Sequence, residues 1–235
     1  MAAPWDDPRI ARGMTVQLDA RCKRIANGDK PLGWKVGFGA PAIMEKFRIT
    51  SPLVGYLMQS GRVSSGNAVS LKGWTRPAAE PEIAVRIGRG LPASGDLAAA
   101  AGAIAALSPA IELADVDLPF EDPEAILKGN IFQRHVVLGP PEFIRAGSST
   151  AGLTGILMSN DKEIARTTDP EALTGKLAVI VRHVADLLGA FGEGLAAGDI
   201  VIAGSVTPPL IVDAGAADVG FQLDPIGRIS VNFTR

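Results

Sequence analysis

The chain has 235 residues, 47% of them apolar, with 23 Lys+Arg against 25 Asp+Glu and a net charge of -2. That composition supports a packed core and excludes extensive disorder, and the balanced, dispersed charge leaves no electrostatic footprint for nucleic acid or an anionic membrane. Cys22 is the only cysteine, which excludes an intrachain disulfide and a thiolate metal cluster.

The first residues, MAAPWDDPRIARG, lack the basic-then-apolar layout of a secretory leader. No apolar run approaches the roughly 20 residues that span a bilayer, so a cytoplasmic location is expected. Residues 8–27 read as a helix, with Ile10, Met14, Leu18, Cys22 and Ile25 along one face. A strand follows in GWKVGFG, then a helix from about Ala42 to Phe47, then SPLVGYLM. From residue 80 onward short apolar strands alternate with Gly, Pro and Asp. Two helices interrupt them: Leu97 to Leu107, with Ser94 and Asp96 as candidate caps, and Pro170 to Phe191, capped by Asp169 and buried along Leu177, Ile180, Val184, Leu187 and Leu188. Hairpins are expected at Asn160-Asp161 and at Asp224-Pro225-Ile226-Gly227. The expected architecture is one α+β domain over residues 1–235. Residues 1–60 form a helical N-terminal flank, and the β-rich catalytic portion of 61–235 curls into a roll or barrel that hides its strand edges.

In AAEPEIAVRIG the residues Ile83, Val85 and Ile87 alternate with Ala84 and Arg86, the period of a strand. Glu80 and Glu82 then share one face, where two like charges repel unless a cation or solvent intervenes. A solvated strand face is one reading. A third acid, Glu112, stands between Ile111 and Leu113 in an apolar segment where a lone carboxylate is costly to bury. Three carboxylates would suit a hard ion, Mg²⁺ or Mn²⁺, rather than Zn²⁺. The residues alone leave both readings open.

In GWKVGFG the face opposite Trp34, Val36 and Phe38 carries Lys35 among glycines. Glycines in a strand mark close approach by a ligand, or a weak edge strand whose lysine is solvated. Ser205 and Thr207 share a face beyond the strand Ile200 to Ala203, as hydroxyls for a ligand or as strand-end chemistry. Phosphate-loop and nucleophile-elbow patterns are missing, and His135 and His183 read as structural.

Together, GWKVGF, SPLVGYL, RPAAEPEIAVRIG, PAIELAD, GNIFQRHVVLG and GEGLAAGDIVIAGSVTPP resemble the fumarylacetoacetate hydrolase superfamily. The resemblance is strongest to the branch of 2-keto-4-pentenoate hydratase and 4-oxalocrotonate decarboxylase. It implies a Mg²⁺ or Mn²⁺ site at Glu80, Glu82 and Glu112, and catalytic positions at Lys35 and Asp115, the latter in a supporting place. It further implies that Gly204, Ser205 and Thr207 lie near a substrate carboxylate. The implied substrate is a small 2-oxo acid, and the implied reaction is hydration of 2-hydroxypenta-2,4-dienoate. Decarboxylation of 4-oxalocrotonate, carbon–carbon hydrolysis of an acylpyruvate and a non-catalytic partner role stay open. A homo-oligomer, associated with a related pathway enzyme, is implied in the same way. Two departures bear on the reaction: Leu53 stands where the family commonly has an acid, and no tryptophan occurs between Asp117 and Lys128.

Overall fold

Asp7 accepts from the Arg9 amide and Pro8 takes the first helical position, starting α1 (Pro8–Ala26). Ile10, Met14 and Leu18 are buried, but Cys22 is exposed and Ile25 is 36% exposed. The apolar stripe therefore ends before the helix does. There Arg21 and Arg24 make the contact instead, their guanidinium carbons 4.6 and 5.9 Å from the ring centroids of Trp34 and Tyr56. The computed structural model describes residues 3–118 and 121–235. Pro119 and Phe120, within the stretch that lacks tryptophan, lie outside the described residues.

Next come β1 (Pro31–Gly37), α2 (Pro41–Phe47), β2 (Leu53–Met58), β3 (Arg62–Val63), β4 (Ala68–Ser70) and β5 (Pro77–Ile87). The segment expected as a helical flank thus also contributes two strands. Then follow α3 (Leu97–Ala103), β6 (Ile104–Asp115), α4 (Pro123–Lys128), β7 (Gln133–Leu138), β8 (Thr154–Ser159) and β9 (Lys162–Thr167). The chain closes with α5 (Leu177–Ala190), β10 (Ile200–Ser205), β11 (Leu210–Ile211), β12 (Asp218–Asp224) and β13 (Gly227–Thr234).

Two expected helices are shorter than the sequence suggests. Asp96 caps α3 through the Ala99 amide at 2.7 Å, whereas Ser94 is left-handed and caps nothing. The alanine-rich helix stops at Ala103 because Ile104, Ala106 and Leu107 pair with Ile87, Arg86 and Val85 of β5. Strand pairing there overrides helix propensity. Residues 170–175 form a turn rather than the start of α5; Gly175 at φ 86° breaks the helical path, and Lys176 occupies the N-cap. The expected buried stripe of α5 is buried in full. Both hairpins form where expected, with Asn160 and Asp161 at positive φ as a tight two-residue turn requires.

The strands make two sheets. One runs β2-β1-β10-β5-β6-β7-β3, with β11 added beside β5; the other runs β4-β13-β12-β8-β9. The first curls until β2 and β7 touch, and the second packs over β6 and β7. The fold is α+β, a mixed β-roll with helices at its flank, as expected. Ile83, Val85, Ile87, Ile111 and Leu113 face the large core shared with the second sheet. The concave face carries a separate apolar cluster: Leu32, Leu57, Ala84, Ala110, Val136, Ile200 and Ile202. Glu80, Glu82 and Glu112 continue that same concave face beyond Ala84 and Ala110, which is why they are enclosed.

Candidate active site

Glu80 and Glu112 are directly opposed in the β5–β6 ladder, and Glu82 lies one pleat further along β5. Cross-strand partners share a face, so the three acids form one cluster. Glu82 is 0% and Glu112 1% exposed. Glu82 Oε2 accepts from the Gly204 amide at 2.7 Å, an approach that Gly204 allows at φ 94°. Its other oxygen, Oε1, is buried with no hydrogen-bond partner among the described residues.

Lys35, 2% exposed, reaches the cluster from β1. Its Nζ donates to Glu112 Oε1 and, at 2.9 Å, to the Ile131 carbonyl. Space for it comes from Gly55, its partner on β2: a Cβ there would fall 2.9 Å from Lys35 Cγ and 2.9 Å from Asn130 Oδ1. Lys35, on the face of β1 that the sequence shares among glycines, thus points into the roll rather than to solvent.

Charge is out of balance in this space. Burial, then Glu112, raises the Glu80 carboxyl from its ordinary 4.5 to about 7, with Lys35 offsetting part of the rise. Burial followed by Glu112 and Glu80 pushes Glu82 up as well, against the pull of Lys35 and the Gly204 amide. Among the described residues no three His, Cys, Asp or Glu side chains are gathered as a ready metal-ligand set. Glu112 is turned onto Lys35 instead. The donor chemistry nonetheless suits a hard divalent ion: it offers only oxygens, one of them buried and unpartnered, and three acids against one buried lysine.

A cavity of about 540 Å³ opens from Glu80 and Lys35. Gly204, Ser205 and Thr207 line it. The Ser205 hydroxyl donates to the Thr207 carbonyl at 2.7 Å, and Thr207 is buried. Aromatic side chains form much of the wall: the Phe38 ring lies 5.4 Å from Phe47 and 6.3 Å from Phe132, centroid to centroid. Arg76 and Lys46 also line it and have no ion-pair partner among the described residues.

Asp115 does not line this cavity. It sits on the opposite face of β6, where Oδ1 accepts from the Thr75 and Arg76 amides at 2.9 and 2.8 Å and Oδ2 lies 3.5 Å from Arg134. It clamps the approach to β5 and so acts on the site only through the backbone. Leu53 is a core residue at the start of β2. His183 donates to the Pro52 carbonyl at 2.9 Å, and His135 stacks on Trp74; both are structural, as expected. The sequence reading missed Asn130, Ile131 and Phe132, at φ 53°, 52° and 62°. Asn tolerates that conformation, but Ile and Phe carry no signal for it.

On the concave side of the curled sheet the acids and the lysine thus lie beside an apolar cavity. Residues 40–233 match the family described as fumarylacetoacetate (FAA) hydrolase C-terminal, and the chain belongs to that family. The matched span holds the three acids and the Gly204–Thr207 segment; Lys35 lies just ahead of it. The chain is 29% identical over 218 residues to a 2-keto-4-pentenoate hydratase of Burkholderia vietnamiensis, covering 90% of this chain and 81% of the relative. It is 26% identical over 214 residues to a 4-oxalocrotonate decarboxylase of a Pseudomonas species, covering 90% and 82%. In fold it is similar to 4-oxalocrotonate decarboxylase from Pseudomonas putida G7, complexed with magnesium and adipate, at TM-score 0.87 and 23% identity, covering 96% of this chain and 86% of that one.

Proposed function

We propose that the protein is a divalent-metal-dependent lyase acting on a small 2-oxo or 2-hydroxydienoic acid, with hydration of 2-hydroxypenta-2,4-dienoate as its reaction. The observation that carries the reading is the cluster of buried Glu82, Glu112 and Lys35 with half-buried Glu80, of which Glu80 and Lys35 line an apolar cavity. The names of the hydratase and decarboxylase relatives support it.

Glu80, Glu82 and Glu112 would hold Mg²⁺ or Mn²⁺. When bound, such an ion supplies Lewis acidity towards a 2-oxo acid. Lys35 Nζ, fixed between Glu112 and the Ile131 carbonyl, holds a proton beside the 2-oxygen of the substrate. The Gly204–Thr207 segment receives the substrate carboxylate. Phe38, Phe47 and Phe132 exclude water from the carbon chain. The overall change balances: the 2-hydroxyl proton leaves as C5 gains one, giving the 2-oxo-3-enoate, and water adds its hydroxyl at C4 and its proton at C3. The product is 4-hydroxy-2-oxopentanoate.

Decarboxylation of a dicarboxylic relative is a second reading, favoured by Arg76 and Lys46 on the cavity wall, where a distal carboxylate would find charge. The deciding assay follows the ultraviolet absorbance of fresh 2-hydroxypenta-2,4-dienoate with Mg²⁺ or Mn²⁺, then with chelator. Ion-dependent loss of the dienol with 4-hydroxy-2-oxopentanoate as product supports hydration. Turnover of 4-oxalocrotonate alone, with release of carbon dioxide, supports the second reading.

A further inference from the structure

Between α4 and β7 the backbone does something costly. Asn130, Ile131 and Phe132 form a single turn closed by the Gln133 amide on the Asn130 carbonyl, and all three residues lie at positive φ. A left-handed residue other than glycine brings its Cβ too close to the following carbonyl oxygen. Two of these three are an isoleucine and a phenylalanine, to which that region is least accessible. Strain of this kind persists only where the surroundings over-determine it, and it collects at functional sites.

What over-determines it is the Asn130 side chain, 8% exposed. Its Oδ1 accepts from the Tyr56 amide at 2.8 Å, and its Nδ2 donates to the Tyr56 carbonyl at 3.0 Å. One amide side chain thereby replaces the missing neighbouring strand for a residue of β2, and it bolts the turn to the edge of the roll. The next residue, Ile131, presents its carbonyl to Lys35 Nζ at 2.9 Å. Gly55 leaves room for both side chains, since a Cβ there would clash equally with Lys35 Cγ and Asn130 Oδ1.

We infer that Asn130 is the positioning residue for Lys35. By pinning a strained left-handed turn to β2, it supplies the backbone carbonyl that holds the lysine at the acid cluster. This rests on the proposed role of Lys35, but the placement of the lysine is measurable without turnover. Asn130 touches neither the acids nor the Gly204–Thr207 segment in any described contact, so it reaches the acid cluster through the turn that it pins, whose Ile131 carbonyl holds Lys35.

Asn130→Gly separates this from simple tolerance of the backbone. Glycine adopts positive φ freely, so a residue kept only for conformation would be replaced without loss. Reductive methylation with formaldehyde and cyanoborohydride, read by mass spectrometry of the Lys35 peptide, reports how firmly the lysine is held. Lys46, exposed on the same cavity, serves as reference. In Asn130→Gly, Lys35 modification should accelerate about fivefold or more, as expected of a group released into locally open states, while Lys46 is unchanged. With substrate, kcat should fall about tenfold or more and KM stay within about threefold, the pattern of lost positioning. In a Lys35→Met background the same change should have no further effect on kcat.

Asn130→Asp is the second variant should glycine compromise folding. It accepts the left-handed backbone and keeps the bond from the Tyr56 amide but cannot donate to the Tyr56 carbonyl when ionised, so faster Lys35 labelling is expected there too. Faster labelling in a protein that turns over no dienoate sinks the hydratase reading and leaves the positioning role standing. Parent-like Lys35 labelling in both variants overturns the inference, whether or not the protein turns over the dienoate.

Discussion

Lys35 on β1 and Glu112 on β6 form a buried ion pair although β10 and β5 separate their strands within the sheet. Only the curl of the sheet brings them together, so their contact marks the interior of the roll as the site. Lys35→Met should lower kcat by about 10²–10⁴-fold, the usual worth of a positioned proton-transfer group. The variant should stay folded by circular dichroism. Equal kcat in variant and parent would reduce Lys35 to a structural counter-charge.

Acid titration gives a second expectation. Burial and then Glu112 raise Glu80 from 4.5 to about 7, and Glu82 moves in the same direction. A group that holds its proton more tightly when folded adds stability below its unfolded value and loses it as pH rises through its folded value. Thermal midpoints in chelator should therefore decline as pH rises from 4.5 to about 7. Saturating Mg²⁺ should flatten the decline by replacing the protons. A midpoint in chelator that is constant across that window contradicts the charge imbalance.

Gly55→Ala places a methyl group 2.9 Å from both Lys35 Cγ and Asn130 Oδ1. Overpacking of this kind costs about 1–3 kcal/mol, which urea denaturation would resolve. The loss of kcat should exceed that of a control substitution of similar cost in the large core. A stable Gly55→Ala with parental kcat would mean that the lysine has more freedom than its burial implies.

Arg76→Leu tests which substrate the cavity wall reads. If the distal end carries a carboxylate, KM for the dicarboxylate should rise about tenfold or more, as for a lost charge-assisted contact, while the monocarboxylate dienoate is unaffected. An equal effect on both substrates would remove Arg76 from specificity.

Much of this site is visible in the sequence because strands are periodic. Alternation through Ile83, Val85 and Ile87 puts Glu80 and Glu82 on one face, and the glycines around Lys35 announce an open one. Turn chemistry is local, so the Asn160-Asp161 hairpin is equally legible. Non-local pairing is not. Residues 104–107 look helical from their alanine-rich context and become strand only because β5 is beside them. The turn at residues 130–132 is hidden for the same reason: its conformation is set by Tyr56, far away in the chain. Asp115, three residues after Glu112, falls on the other face by the same alternation, and the structure adds its partners, the Thr75 and Arg76 amides.

The central claim is that Glu80, Glu82 and Glu112 hold a divalent ion. Titration of metal-free protein with Mn²⁺, followed by the electron paramagnetic resonance signal of free Mn²⁺, tests it without any substrate. The account predicts one site per chain, weakened by about 10-fold or more in Glu82→Gln, as for loss of a charged oxygen ligand. Parental affinity in Glu82→Gln and in Glu112→Ala alike would contradict it.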